Sequence, residues 1–342
     1  MRTTCQRRFW SNPRLKAPNW ISAPRSIWWS PPPNSTLSPT TDKAGTTTSQ
    51  GGLCTIMTNG TILNRTPVSI EGTSATIVTK TYSEEVLTDT VVEKLTYASD
   101  GLRVKAYYTR PKGEGTYPVI LWNRGGFGDY GSLDDLRAYL LLASTAHWGY
   151  AVLATQYRGN DGGEGTEDAG GEDVNDALDL LRAAENLNAC DMNRVAIEGA
   201  SRGGITTYRV LSLDDRFRCA LVHAGISDLE ALVEQKSDQF AQTMDALFGD
   251  LSDKRRREEY CLRSAVCFAA KLPRTIPILL MHGTEDTRVP MEQTEALAAA
   301  FRENRIPHEI AWIRGGGHIA LKDGSYREVD RHRRRWLQRY LR

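Results

Sequence analysis

From about Glu84 onward the apolar positions follow two alternating periods. Residues 91–99 (VVEKLTYAS) and 102–110 (LRVKAYYTR) alternate as strands do, and Asp100-Gly101 between them is a two-residue hairpin turn. Residues 117–123 (YPVILWN) form a continuous apolar run, the signature of a strand buried on both faces. Residues 132–147 instead place Leu133, Leu136, Leu140 and Ala143 at helical spacing. The alternation then continues. Strands are predicted at 150–158, 194–199, 219–225, 276–283 and 308–315. Helices are predicted at 172–186, from about Arg202, at 291–304 and at 325–342. A polar, charged helical stretch at 227–271 separates two of the strands. Apolar strands alternating with helices predict an α/β fold: a mostly parallel sheet with helices on both faces, entered through an antiparallel N-terminal hairpin. No internal repeat interrupts this order.

Residues 1–83 break the pattern. They are rich in Ser, Thr, Pro and Asn, and every short apolar stretch ends at Pro or Gly. The expectation is a disordered extension followed by one domain over 84–342. Charge supports the division: residues 1–80 hold nine Lys/Arg against two Asp/Glu, and the remainder holds 34 against 40. The basic start has two readings, a non-functional extension or an organelle transit peptide. It lacks the apolar stretch of a secretory signal, and no run in the 342 residues is long enough to span a membrane. The six cysteines form no CxxC pair and have no metal-ligand spacing with histidine, so they read as reduced thiols of a cytoplasmic protein. A net charge of +1 gives no general attraction to nucleic acid or anionic membrane. The basic stretches 253–260 and 330–342 read as solvated helix faces, with Trp336, Leu337 and Tyr340 turned inward in the second.

Chemistry enters at strand ends, where functional groups gather in such a sheet. Gly199-Ala200-Ser201-Arg202-Gly203 follows the strand 194–199 and fits Gly-x-Ser-x-Gly. A serine on a strand-to-helix turn needs glycines two before and two after it, because a Cβ there would clash. Asp286, in a His-Gly-x-x-Asp pattern, and His318 follow two later strands. The order Ser201, Asp286, His318 is the one a nucleophile, an orienting acid and a general base take in α/β-hydrolases. Asp228 and the neighbouring Glu285 are competing acids. Asp228 reads better as the cap of the helix after it. The oxyanion hole is expected from the Arg202 N–H with Gly125 and Gly126, in the loop 124–128. Arg124 of that loop, and Glu164 and Glu167 in the Gly-rich loop 159–173, are candidates for substrate contact. Carboxylates there, with Asp161 and Asp168, would suit a substrate ammonium group. The plainer reading is a solvated loop. The stretch 227–271 sits where this fold commonly inserts a lid. The chemistry requires no metal and no organic cofactor.

The stretches GASRGG, HGTEDTRVPMEQTEAL and GGGH together resemble the catalytic domain of the prolyl oligopeptidase family of serine peptidases. The run Asp286, Val289, Pro290, Gln293 is the most specific of them. The resemblance covers about residues 85–342 and implies an α/β-hydrolase fold with a Ser201–His318–Asp286 triad acting on small peptides. Three departures keep other readings open. The family often has His-Gly-Gly-Pro where this chain has Asn123-Arg124-Gly125-Gly126-Phe127. Some members add a tyrosine to the oxyanion hole, and here Tyr130 and Tyr157 lie near in sequence without a clear match to it. Many members carry an N-terminal β-propeller, which residues 1–83 are not expected to build. A carboxylesterase or dienelactone-type hydrolase is therefore the alternative, and a non-catalytic binding protein of the same fold the second. Oligomeric state is not legible in the sequence.

Overall fold

A computed structural model describes residues 57–128, 130–235, 239–318 and 320–342. Among these, strands β1 (Ile62–Pro67), β2 (Thr90–Ser99), β3 (Leu102–Pro111), β4 (Tyr117–Asn123), β5 (Ala151–Thr155), β6 (Cys190–Ala200), β7 (Cys219–His223), β8 (Ile278–Gly283) and β9 (His308–Ile313) form one sheet. Its order is β1-β2-β3-β5-β4-β6-β7-β8-β9. The pairs β1–β2, β2–β3 and β3–β5 are antiparallel, and all pairs from β5–β4 to β8–β9 are parallel. The hairpin turn is the one the sequence predicts: Ser99 pairs with Leu102, and Asp100 and Gly101 both have positive φ (49° and 78°).

Each central strand divides its side chains between two cores. Val119 and Leu121 of β4 face one, and Ile120 and Trp122 the other. On the first face the helices Val174–Ala184, Arg202–Leu211 and Met291–Asn304 supply Leu180, Tyr208 and Phe301. On the second, the helical run from Asp135 to Ala146, which contains a π-turn at Ala138–Ala143, supplies Tyr139 and Leu142. The C-terminal helix Tyr326–Leu341 adds Trp336 and Leu337 to the same side. This two-sided burial is why the parallel strands read as unbroken apolar runs.

The boundary expected at residue 83 is corrected. β1 and the helix Gly72–Thr81 both lie before it. Five of six β1 residues are exposed, and the helix buries only Val78, so neither shows an apolar period. The segment is nevertheless tied down. Val68 and Ile70 pack on the second core, Tyr139 Oη donates to the Val68 carbonyl at 3.0 Å, and Tyr326 Oη donates to the Thr81 carbonyl at 2.9 Å. Pro67 closes β1 at the sheet edge, where a strand tolerates a missing N–H. The expectation for residues 1–56 lies outside the described residues.

Between β7 and β8 run the helices Leu229–Gln235, Gln239–Phe248, Asp253–Arg263 and Ala265–Phe268. Ile226, Leu232, Met244, Phe248 and Tyr260 make a third apolar cluster there, and it reaches Ile205 of the helix after β6.

Candidate active site

Ser201 joins β6 to the helix Arg202–Leu211 with φ 55° and ψ −123°, a conformation L-residues rarely adopt. Its surroundings hold it there. The Ser201 N–H donates to the His223 carbonyl at 2.9 Å, and its own carbonyl accepts from Gly204 N–H at 2.9 Å and Ile226 N–H at 3.1 Å. A Cβ on Gly199 would lie 2.3 Å from the Gly203 carbonyl oxygen, and one on Gly203 would lie 2.0 Å from that of Asn123. The two glycines are therefore fixed by crowding, as the motif implies.

Three loops at the carboxyl ends of β6, β8 and β9 meet at this turn. His318 Nε2 is 2.9 Å from Ser201 Oγ, and His318 Nδ1 is 2.7 Å from Asp286 Oδ2. The other Asp286 oxygen accepts from Arg288 N–H at 2.8 Å and Val289 N–H at 2.9 Å. Burial alone would raise the Asp286 pKa. Hydrogen bonds from His282 and His318 and from the Val289 N–H outweigh it and hold the carboxyl well below the ordinary carboxylate range. An ionised Asp286 only accepts, so His318 carries its proton on Nδ1 and leaves Nε2 free to accept from the serine hydroxyl. Sequence reasoning gave His282 no role of its own. Its Nε2 lies 2.9 Å from the Val289 carbonyl and 3.5 Å from Asp286 Oδ2, and its Nδ1 lies 2.7 Å from Thr294 Oγ1. A carbonyl cannot donate, so Nε2–H is the donor and His282 braces the acid loop. Its signal was the His of His-Gly-x-x-Asp.

Gln293 gains a physical role as well. Its side chain accepts from the N–H groups of Ser227 and Asp228 at 2.9 and 2.8 Å and donates to the Asp228 carbonyl at 2.9 Å. It thereby pins the loop after β7 to the helix after β8. Asp228 itself accepts from Ala231 N–H at 3.1 Å, the capping role expected of it, and Glu285 is exposed.

Gly125 lies directly against the serine: a Cβ there would come within 3.1 Å of the Ser201 Cβ. Gly126 is different. Its φ is +75°, and a Cβ would collide with the Tyr130 carbonyl oxygen at 1.9 Å, so it closes the loop on itself. Tyr130 is exposed and its hydroxyl meets the Arg288 guanidinium. Tyr157 is fully buried, and its hydroxyl donates to the Arg124 carbonyl at 3.3 Å.

Of the carboxylates considered for a substrate ammonium group, Glu164, Glu167 and Asp168 are engaged within the protein. Glu164 accepts from Arg103 Nε, Nη2 and N–H at 3.0, 2.7 and 2.8 Å. Glu167 is buried against Arg124 and Arg202, and Asp168 accepts from the N–H groups of Gly171, Glu172 and Asp173. Arg124, also a candidate for substrate contact, is fully buried and donates to the carbonyls of Gln156, Gly125 and Gly128. Their bonds are internal because the Gly-rich loop packs onto the arginines of its neighbours. Among the described residues no three His, Cys, Asp or Glu side chains cluster as a metal site would require. No helix among them is long and apolar enough to cross a membrane.

The sheet order, the strand-to-helix serine and the later acid and histidine loops define an α/β-hydrolase fold, and the class of protein is a serine hydrolase. The chain belongs to the prolyl oligopeptidase family, whose model matches residues 135–342. Among its relatives, the uncharacterized peptidase YtmA of Bacillus subtilis is 31% identical over 243 residues, 71% of this chain and 91% of that protein. The uncharacterized peptidase YuxL of the same organism is 29% identical over 70% of this chain, but only 37% of that protein is covered. A puromycin-hydrolyzing peptidase of Mycobacterium tuberculosis superposes with a TM-score of 0.63 at 27% identity, over 75% of this chain and 40% of that one. The chain thus spans nearly all of one relative and well under half of the other two.

Proposed function

We propose that the protein cleaves small peptides by acyl transfer, with Ser201 as nucleophile, His318 as general base and acid, and Asp286 as its orienting partner. The observation that carries this reading is the continuous hydrogen-bonded chain Ser201 Oγ–His318–Asp286, at 2.9 and 2.7 Å. His318 Nε2 takes the hydroxyl proton as Oγ attacks the scissile carbonyl. The imidazolium that forms is stabilised by the ionised Asp286. The carbonyl oxygen becomes an oxyanion, for which the Arg202 N–H, first in its helix, and the glycine backbone at Gly125 are the donors at hand. His318 returns the proton to the leaving amine, and a water activated by the same nitrogen releases the acid. Peptides are favoured as substrates over esters because YtmA and the mycobacterial protein are both peptidases by name.

Fluorophosphonate labelling tests the nucleophile: wild-type protein is labelled and Ser201→Ala is not. Equal labelling of the two removes the assignment. Peptidyl p-nitroanilides beside p-nitrophenyl esters test the substrate class. Since esters are intrinsically easier, turnover of anilides at comparable efficiency supports a peptidase, and turnover of esters alone makes the protein an esterase.

A further inference from the structure

Glu167 takes no part in that chemistry, yet it is the point where both halves of the oxyanion site converge. Its Oε2 accepts from Gly128 N–H at 3.1 Å, Arg124 Nη2 at 3.3 Å and Asn160 Nδ2 at 2.7 Å. Its Oε1 lies 2.8 Å from Arg202 Nη2, and its side chain is only 9% exposed. Arg124 and Gly128 flank Gly125 on the loop after β4. Arg202 is the residue directly after Ser201. One carboxylate therefore links the two segments whose backbone N–H groups would meet a developing oxyanion.

The link is stiff. The Arg202 guanidinium is fully buried, also pairs with Asp173, and stacks 4.0 Å from the Tyr157 ring centre. Arg124 packs 5.1 Å from the same ring, whose hydroxyl reaches back to the Arg124 carbonyl. A side chain that served only to hold the Gly-rich loop would need neither arginine. The loop already has its own closure, in which Gly159 N–H donates to the Glu164 carbonyl and Gly163 N–H to that of Asn160.

We propose that Glu167 is a positioning residue that sets the spacing between the Arg202 N–H and the Gly125 segment, and thereby the stabilisation of the tetrahedral intermediate. This rests on Ser201 being the nucleophile. Glutamine at 167 matches glutamate in size, but it presents an N–H₂ to one of the two guanidinium groups and cannot bridge both. Small misplacements of such donors cost rate far more than ground-state affinity.

The experiment compares wild type, Glu167→Gln, Glu167→Asp and Arg202→Lys on one peptide substrate and one peptidyl boronic acid, which forms a tetrahedral adduct on serine. The expected result for Glu167→Gln is kcat lower by about 10- to 100-fold, KM within about 2-fold, and boronate affinity reduced in step with kcat. Glu167→Asp and Arg202→Lys shift the same two readouts in the same direction, and either serves if the glutamine variant does not fold. A folded Glu167→Gln protein with wild-type kcat and boronate affinity overturns the proposal, whatever its melting temperature. Equal fluorophosphonate labelling of wild type and Ser201→Ala overturns the nucleophile assignment first, and the role of Glu167 with it.

Discussion

The Asn123 carbonyl oxygen lies so close to Gly203 that a methyl group there would sit 2.0 Å from it. The end of β4 and the helix that follows Ser201 therefore interlock. Nothing flexible yields at this point, because the opposing atoms are backbone. Gly203→Ala is predicted to destabilise the protein by about 1–3 kcal/mol, the usual cost of overpacking. It should also displace the serine, so that fluorophosphonate labelling slows sharply even at temperatures where the variant remains folded. Thermal melts and labelling rates measured side by side check both parts.

Asp286 is held ionised by the groups around it, so its proposed task is to keep the His318 proton on Nδ1. Asp286→Asn leaves a side chain of the same shape that can donate to that nitrogen and favour the other tautomer. The expected loss in kcat is about 10⁴-fold, with KM little changed. Fluorophosphonate labelling should slow in proportion. A loss under tenfold would mean another group orients His318.

The succession of strands along the chain and the three loops were legible because parallel strands are buried on both faces and their ends are marked by Gly, Asp and His. What escaped the sequence lacked such contrast. β1 exposes five of its six residues, and its neighbouring helix buries one side chain, so neither carries a hydrophobic period. Glu167 was legible as a carboxylate in a Gly-rich loop, but not as a buried one. Its partners Arg124 and Arg202 come from other loops, and nothing local announces that three charges converge. Glu198 left a faint signal, as the one charged residue in the buried stretch 195–199 of β6. Its partner lies 135 residues away.

His223 lies beside the site, among His318, His282, Asp286 and Arg333. Burial first, then His318, His282 and Arg333, push its pKa down to about 4, although Asp286 pulls the other way. Its unfolded value is near 6.5, so the folded protein resists a proton the unfolded chain accepts. The stability His223 contributes is complete above about pH 6.5 and is lost as pH falls towards about 4. Melting temperatures between pH 7 and 4 should fall less steeply in His223→Asn than in wild type. Parallel curves would assign the acid sensitivity to other groups.

Glu198 and Arg333 fasten β6 to the C-terminal helix. Arg333 Nε and Nη2 donate to the two Glu198 oxygens at 2.6 and 2.9 Å, and both side chains are nearly inaccessible. Nη2 also reaches Thr145 Oγ1 at 2.9 Å, and Nη1 reaches Asp330 at 2.8 Å. Both charges are desolvated, so removing Arg333 strands the Glu198 carboxylate. Arg333→Met is predicted to cost about 3–5 kcal/mol, because Glu198 is left buried with its principal donor gone. Replacing both, as Glu198→Leu with Arg333→Met, removes the stranded charge and should recover most of that loss. Urea titrations of the three proteins decide it: the midpoint falls in the single variant and returns in the double, with the slope unchanged throughout. A double variant no more stable than the single would show that Thr145 and Asp330, rather than Glu198, are the contacts that hold the helix on the sheet.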